Sequence, residues 1–407
     1  MPKYPRFSFQ ISHKTPSSRA RIGLLSTPHG TINTPNFIFC ATKGAIKGAS
    51  PRDLREIGAE IILSNTYHLM LQPGEECVEA LGGLQQFTGW RAPMLTDSGG
   101  FQIFSLGHGS VAEEVKGKRN HSRPKTLLDI TEEGARFKSY LDGKLHLLTP
   151  EKSIQVQRQL GADLIVSFDE CTPFHVDKAY TQKSLALTHR WGVRSLQEFE
   201  RGDDGRQALY GIIQGGVYPD LRQEAADFVN SHPFFAHAIG GSLGANKEQM
   251  YEVVSFTAPL LDATRPIHLL GIGGIRDIFK GVRYGIDTFD CVHPTRLARH
   301  GGALVKPGNW KGIGNAPKEH LNIRNQIFEQ DQSPLDSTCD CRTCQTFSRG
   351  YLHHLFKAKE LLGIQALTLH NLRFMVRLMT AIRQAIQSDT LDQLESEWVS
   401  DERGSTN

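Results

Sequence analysis

Eight short apolar runs, each breaking off at a polar residue or a glycine, constrain this chain most strongly. They are Asn36–Ala41, Ile61–Asn65, Pro93–Asp97, Asp163–Asp169, Ala208–Gln214, Ala236–Gly241, Ile267–Gly271 and Ile286–Asp290. Amphipathic helical stretches lie between many of them. Strands that alternate with helices pair in parallel, because a parallel connection needs a crossover of a dozen residues or more. Eight such units in about 300 residues predict an α/β fold, a (β/α)8 TIM barrel, whose chemistry is carried where the strands end. Four runs end on Asp97, Asp169, Gln214 and Asp290, each close to Gly, Cys or another acid. One pattern therefore proposes the fold and nominates functional residues together.

The flanks differ from this core. Residues 1–35 read as a polar antechamber, with Ser12–Arg21 loop-like and a short hairpin at Thr27–Thr34 around Pro28 and Gly30. The longest interruption, Ser105–Leu148, carries the basic stretch Lys116, Lys118, Arg119, Arg123 and Lys125. It is either a solvated insertion or an arm that reaches a polyanion. A helix is expected over Ser348–Leu362 and a second from near His370 to Gln387, with a frayed tail from Glu395. Net charge is only +3, so a nucleic-acid site has to come from local clustering. The N-terminus MPKYPRFSFQ has no apolar signal region, and no stretch reaches the roughly 18 apolar residues of a membrane span. A cytoplasmic protein is the expectation.

Of seven cysteines, Cys339, Cys341 and Cys344 are bunched, and the others are scattered. That distribution argues against a secreted disulfide framework and for a metal site. Cys-x-Cys-x2-Cys puts three thiolates on one tight knuckle, and zinc takes four ligands in a tetrahedron. His353, His354 and His370 are candidates for the fourth, and His370 is favoured because one ring nitrogen can point back at the knuckle. A closed Cys3His set makes a structural ion. The expected partition is a barrel over 1–310, a zinc-binding subdomain with closing helices over 311–387, and a tail over 388–407.

The strand ends carry the rest. In Asp97-Ser98-Gly99-Gly100-Phe101 an acid precedes a glycine pair that lets a ligand approach the backbone, with Phe101 as a flat apolar face. The alternative is that Asp97 caps the next helix. Asp169-Glu170-Cys171 sets adjacent carboxylates at a barrel mouth, where Asp169 accepts N–H bonds from a planar edge or pairs with an arginine. Gln214 and Gly240-Gly241-Ser242 offer side-chain and backbone groups for a purine, or serve as plain turns. Asp290 precedes Thr295-Arg296-Leu297-Ala298-Arg299, a basic group that invites phosphate. A carboxylate beside cations stays ionised and can act as a nucleophile.

These residues resemble a known family, the tRNA-guanine transglycosylases of the bacterial kind, over roughly 20–387. The likeness rests on Asn65–Leu69, Thr96–Gln102, Phe168–Cys171, Gln214-Gly215, Gly240-Gly241, Gly285–Arg299, Cys339–Cys344 and His370-Asn371. It implies exchange of the wobble guanine of tRNAs with GU(N) anticodons for a 7-deazaguanine base, on the route to queuosine. Asp290 is then the nucleophile of a covalent ribosyl-enzyme, and Asp97 the general acid/base. Asp169, Cys171, Gln214 and the Gly240–Ser242 backbone hold the purine, and Ser98–Phe101 line it. The Gly271-Ile272-Gly273-Gly274-Ile275-Arg276-Asp277 turn and Thr295–Arg299 meet the anticodon loop. His370 completes a zinc site, and a homodimer is expected. The basic positions Lys357, Lys359, Arg373 and Arg377 serve either tRNA contact or solvation. A hydrolytic N-glycosidase and a catalytically silent RNA-binding subunit are the competing classes.

Departures from the family fall on the loop after the glycine pair. Most bacterial members read Leu-Ser/Ala-Val-Gly-Glu, where this chain reads Ser242-Leu243-Gly244-Ala245-Asn246. Losing a valine at Gly244 is expected to open space, and losing a carboxylate at Asn246 removes support for an ammonium. Queuine, the bulkier base, is therefore expected to be accepted. The family's phosphate-side lysine is Gly274 here, with Arg276 or Lys280 available in its place.

Overall fold

The structure is a computed structural model and describes residues 4–108, 126–173, 176–310 and 319–399. A three-stranded antiparallel sheet, β1 (Ser8–Lys14), β2 (Arg21–Thr27) and β3 (Gly30–Thr34), comes first. Strands β4 (Asn36–Cys40), β5 (Ile62–Ser64) and β6 (Met94–Thr96) follow. An antiparallel meander of β7 (Leu127–Ile130), β8 (Ala135–Lys138) and β9 (Leu145–Leu148) then interrupts them. The series resumes with β10 (Leu164–Val166), β11 (Ala208–Ile213), β12 (Ala236–Ile239), β13 (Ile267–Leu269) and β14 (Thr288–Cys291). Strands β4, β5, β6 and β10 to β14 close into one barrel through parallel pairs, β14 returning to β4. Each of the eight apolar runs overlaps one barrel strand, β14 running one residue beyond its run to Cys291.

Strand side chains alternate between two faces. Ile38, Leu63, Leu95, Leu164, Val166, Ala208, Tyr210, Ile212, Ala236 and Ala238 form one buried cluster inside the barrel. Their neighbours, among them Phe37, Phe39, Ile62, Met94, Ile165, Leu209 and Phe289, pack in a second cluster with the surrounding helices. Strands buried on both faces read as unbroken apolar runs, which is why the sequence shows runs here and not alternation. Two residues beyond inward apolar positions stand Cys40, Asn65, Asp97, Gln214 and Gly240, so the same register lifts polar groups to the mouth.

The residues expected to form a polar antechamber instead plug the opposite end. Phe7, Leu25 and Ile32 join the inner cluster beside Ile61, Ala208 and Ala236, where strands begin. Backbone read as a loop over Ser12–Arg21 is extended to Lys14 and again from Arg21, because the two segments pair. Arg21 is buried and donates through Nε to Asp287 Oδ1 at 2.9 Å, fastening the sheet to the segment entering β14. The basic stretch Lys116–Lys125 lies outside the described residues.

After the barrel, β15 (Gly302–Leu304) pairs antiparallel with β16 (His320–Asn322). The helix expected over Ser348–Leu362 ends at Lys357, and Lys359 turns left-handed at φ 60°. A new helix, Leu361–Ser388, starts well before His370 because its buried stripe runs back through Leu367 and Ala366 to Gly363. It packs on β4 and on the short helix His293–Arg299, closing the helical shell where β14 meets β4. The tail is held rather than frayed at Glu395. Helix Leu391–Trp398 buries Trp398, whose ring meets Phe374 edge-on at 5.0 Å. Residues 400–407 lie outside the described residues.

Candidate functional site

Asp97 follows β6 and sits at the N-terminus of helix Thr66–Leu71, where backbone N–H groups lack helical partners. Its Oδ1 accepts from the Thr66 N–H at 3.0 Å, and its Oδ2 from Asn65 Nδ2 and, at 3.0 Å, from Gln102 Nε2. These donors favour the charged form. Burial opposes them, and the negative charge of Asp290 adds to it, pushing the Asp97 carboxyl up to about 6.

Asp290 lies on β14. Its Oδ1 accepts from the Gly271 N–H at 2.9 Å and stands 3.2 Å from His268 Nε2. Its Oδ2 has the Cys40 thiol at 3.6 Å. Asp169 follows β10, is 4% exposed, and has no arginine partner among the described residues, so an ion pair does not explain it. Gln214 Nε2 donates to Asp169 Oδ2 at 2.5 Å, and Ser98 Oγ to Oδ1 at 3.4 Å. Burial pushes Asp169 up to about 7, with Glu170 and Asp97 adding to the rise. Glu170 is turned away and accepts from Tyr180 at 2.5 Å. The same burial pushes the Cys171 thiol up to about 12.

Glycines line this space because other residues do not fit. A Cβ on Gly241 would stand 2.0 Å from Gln214 Oε1, and one on Gly100 would stand 2.8 Å from the Asp169 carbonyl. Phe101 is half-exposed beside them. With its Nε2 held by Asp169, Gln214 keeps Oε1 without a hydrogen-bond partner among the described residues.

Arg222 was missed in the sequence, where it looks like the solvated face of an amphipathic helix. It is 1% exposed, and its guanidinium donates to the carbonyls of Ile213, Gly216, Gly240 and Ser242 at 2.8 to 3.2 Å. One cation thus fixes the loops after β11 and β12 to each other. Burial draws it down to about 9.

Gly244 does not open space. It holds φ +122°, and a Cβ there would fall 2.7 Å from Gln249 Cγ. The Gln249 side chain occupies that volume and accepts from the Ala245 N–H at 2.9 Å. Asn246 caps helix Lys247–Thr257 by accepting from the Gln249 N–H.

The turn from Gly271 to Asp277 is built largely on internal contacts. Gly271 gives its N–H to Asp290, Ile272 is half-buried, and Gly273 packs against Cys291 and Phe37. Gly274 starts the next helix, Ile275 is buried in the core, and Arg276 is half-buried. Asp277 accepts from Tyr251 at 2.6 Å and pairs with Lys247 at 3.2 Å. Thr295 and Ala298 are buried and Leu297 half-buried, while Arg296 is exposed and Arg299 half-buried. The two arginines, and not the residues between them, present side chains outward.

Cys339, Cys341, Cys344 and His370 bring their donor atoms within 4.8 Å of one another. His370 Nδ1 lies 3.3 Å from Cys344 Sγ and 3.6 Å from Cys341 Sγ, close to the edge of about 3.5 Å expected for a tetrahedral zinc site. His370 Nε2 donates to the Leu304 carbonyl at 2.7 Å, which leaves the Nδ1 lone pair facing the sulfurs. The donor set fits zinc. His353 is engaged instead with the Ile323 carbonyl, and His354 is exposed. Arg373 pairs with Asp340, and Arg377 donates to Thr338 at 2.8 Å, so both brace the cysteine loop.

Carboxylates gathered at the ends of parallel strands, with a Cys3His knot tied to the closing helix, define a (β/α)8-barrel enzyme with a zinc-type appendage. The sequence model of the family described as queuine tRNA-ribosyltransferase matches residues 16–403, and the chain belongs to that family. It is similar to the queuine tRNA-ribosyltransferase of Roseiflexus sp. (strain RS-1), 47% identical over 404 residues, covering 96% of this chain and 99% of the relative. The proteins of that name in Protochlamydia amoebophila (strain UWE25) and Psychrobacter sp. (strain PRwf-1) are 45% and 46% identical. Those alignments cover 95% and 94% of this chain, and 96% and 94% of the relatives. No helix among the described residues is long and apolar enough to cross a membrane.

Proposed function

We propose that this enzyme exchanges the wobble guanine of tRNAs with GU(N) anticodons for a 7-deazaguanine base, through a covalent bond to Asp290. The observation that carries the reading is the unequal treatment of two carboxylates at one mouth. Asp97 is raised to about 6, so it can hold or give a proton near neutral pH, while Asp290 is oriented through Oδ1. In the first displacement an Asp290 oxygen bonds to ribose C1′ as the bond from C1′ to N9 breaks. The electron pair leaves on the guanine, which takes a proton from Asp97. The incoming base then gives its N9 proton to Asp97 and attacks C1′, and the Asp290 carboxylate departs. Two inversions retain configuration.

Asp169 and Gln214 hold the purine edge, Gln214 accepting through Oε1, and Phe101 stacks on its face. Arg296 and Arg299 take anticodon-loop phosphates. Cys339, Cys341, Cys344 and His370 hold a zinc ion that supplies folding energy and no chemistry at C1′. The protein acts as a cytoplasmic homodimer. Queuine is accepted on the condition that Gln249 swings from beneath Gly244.

The test is guanine release from anticodon-labelled tRNA, with queuine and 7-aminomethyl-7-deazaguanine supplied in parallel. Base-dependent release without abasic tRNA is expected. Abasic tRNA formed without added base would show a hydrolase instead. Release with the aminomethyl base alone would remove queuine from the reading.

A further inference from the structure

His268 is 0% exposed, on β13, inside the run Ile267–Gly271. A buried histidine in a barrel strand needs partners for both ring nitrogens. Nδ1 lies 2.9 Å from the hydroxyl of Thr288, its neighbour across the β13–β14 pair. Nε2 lies 3.2 Å from Asp290 Oδ1 but off the axis of a hydrogen bond, and has no other partner among the described residues. The Tyr210 ring stands edge-on at 6.4 Å.

The contacts select one tautomer. A lone pair on Nε2 would face a carboxylate oxygen, which is repulsive. Thr288 can remove that arrangement by donating its hydroxyl proton to Nδ1, so that Nε2 carries the hydrogen. Oδ1 then faces two N–H groups, from Gly271 and His268, while Oδ2 faces only a thiol at 3.6 Å.

We propose that His268 is a positioning residue that, with Gly271, binds Asp290 Oδ1 and leaves Oδ2 as the oxygen that attacks C1′. This rests on the covalent reading above. In the ribosyl-enzyme Oδ2 is bonded to C1′, and Oδ1 is the neutral ester carbonyl. When the incoming base breaks the bond from Oδ2 to C1′, its electron pair returns to the carboxylate and is shared with Oδ1. The His268 N–H meets that returning charge, so it stabilises departure of Asp290 more than it stabilises the ester. The off-axis approach in the resting site tightens as the carboxylate turns toward C1′.

The experiment measures guanine exchange and the fraction of enzyme covalently joined to tRNA at equilibrium, for wild type, Asp290→Asn, His268→Leu, His268→Gln, Thr288→Val and the Gln/Val double variant. His268→Leu should lower exchange about 10- to 100-fold with little change in the KM for tRNA, and should raise the covalent fraction. A merely structural role would lower the covalent fraction with activity. Glutamine places an amide N–H near the Nε2 position and should restore most of the exchange. Thr288→Val should act in the same direction as His268→Leu, more weakly, and should lose its effect in the glutamine background. Should His268→Leu fail to fold, the Thr288 pair carries the test alone. A wild-type covalent fraction in both His268→Leu and Thr288→Val would overturn the proposal. Covalent complex formed by Asp290→Asn, or its absence from wild type, would overturn the covalent reading instead.

Discussion

At the barrel mouth, half-buried Asp97 and buried Asp169 face neutral donors and are driven up to about 6 and about 7, and the side-chain carbonyls of Gln102 and Gln214 have no partner among the described residues. At the Cys3His knot, the four donor atoms point at one another and His370 spends its second nitrogen on a backbone carbonyl. Both are clusters of polar groups set into the fold, far apart in the sequence. The mouth leaves acceptor groups without partners among the described residues, whereas the knot offers a closed donor set that fits a single ion. Buried polar groups without matched partners cost stability, and regions that do so tend to be functional. On the proposed reading, the difference assigns chemistry to the mouth and folding energy to the knot.

The largest break in that comparison is Asp290→Asn. Base exchange should fall on the order of 1000-fold or more, because the amide is a far poorer nucleophile, with melting little changed. Measured exchange within tenfold of wild type would return the nucleophile to another carboxylate. The knot should behave in the opposite way. Cys341→Ser, or treatment with a chelator, should lower zinc content and cost several kcal/mol of stability, while the ratio of rates with the two 7-deazaguanine bases in the surviving enzyme stays the same. Metal analysis and thermal melting read the first effect. A zinc-free protein with an unchanged melting curve would dissolve the contrast between the regions.

Arg222 sharpens the comparison, since it is a buried cation built into the loops of the mouth. Arg222→Met should leave four carbonyls short of a donor and cost about 3 kcal/mol, and the freed loops should raise the KM for the base more than they lower kcat. Denaturant unfolding and base-dependent kinetics measure the two parts. An equal loss in both kinetic constants would place Arg222 in the folding ledger alone.

How far the molecule was legible follows from which forces act locally. The barrel was legible because each parallel strand is buried on both faces, so its run stands out from the amphipathic helices. The acids Asp97, Asp169 and Asp290 were visible because they end such runs, and the zinc knuckle because three cysteines crowd six positions. What stayed hidden depends on contacts between distant segments. The N-terminal plug is a set of apolar residues, Phe7, Leu25 and Ile32, spaced as strands and meaningful only beneath the barrel. The start of the long helix at Leu361 follows a left-handed Lys359, which no residue type signals. Gly244 read as lost volume because the side chain that fills it, Gln249, comes from the following helix. His268 was not singled out in the sequence, although a lone polar residue in an apolar barrel run is a sign of an inward-facing group.

The smallest expected effect is on stability, through Asp169. In the unfolded chain this carboxyl titrates near 3.8, and in the fold near 7, because burial disfavours its charge. The folded protein therefore holds a proton that the unfolded chain has released over most of this interval. The stability that this proton contributes is present below about pH 4 and is lost as pH rises toward 7. Asp169→Asn removes the ionisable group while keeping an acceptor for Gln214. It should leave melting nearly unchanged at pH 4, and raise it by a few degrees at pH 8, on the order of 2 kcal/mol once relaxation and solvent at the mouth are counted. The same variant should lose exchange activity, because the purine edge meets an amide where it needs a carboxylate. Melting that drops at pH 8 instead would mean that the Asp169 charge is compensated in the fold, and that the mouth is as well satisfied as the knot.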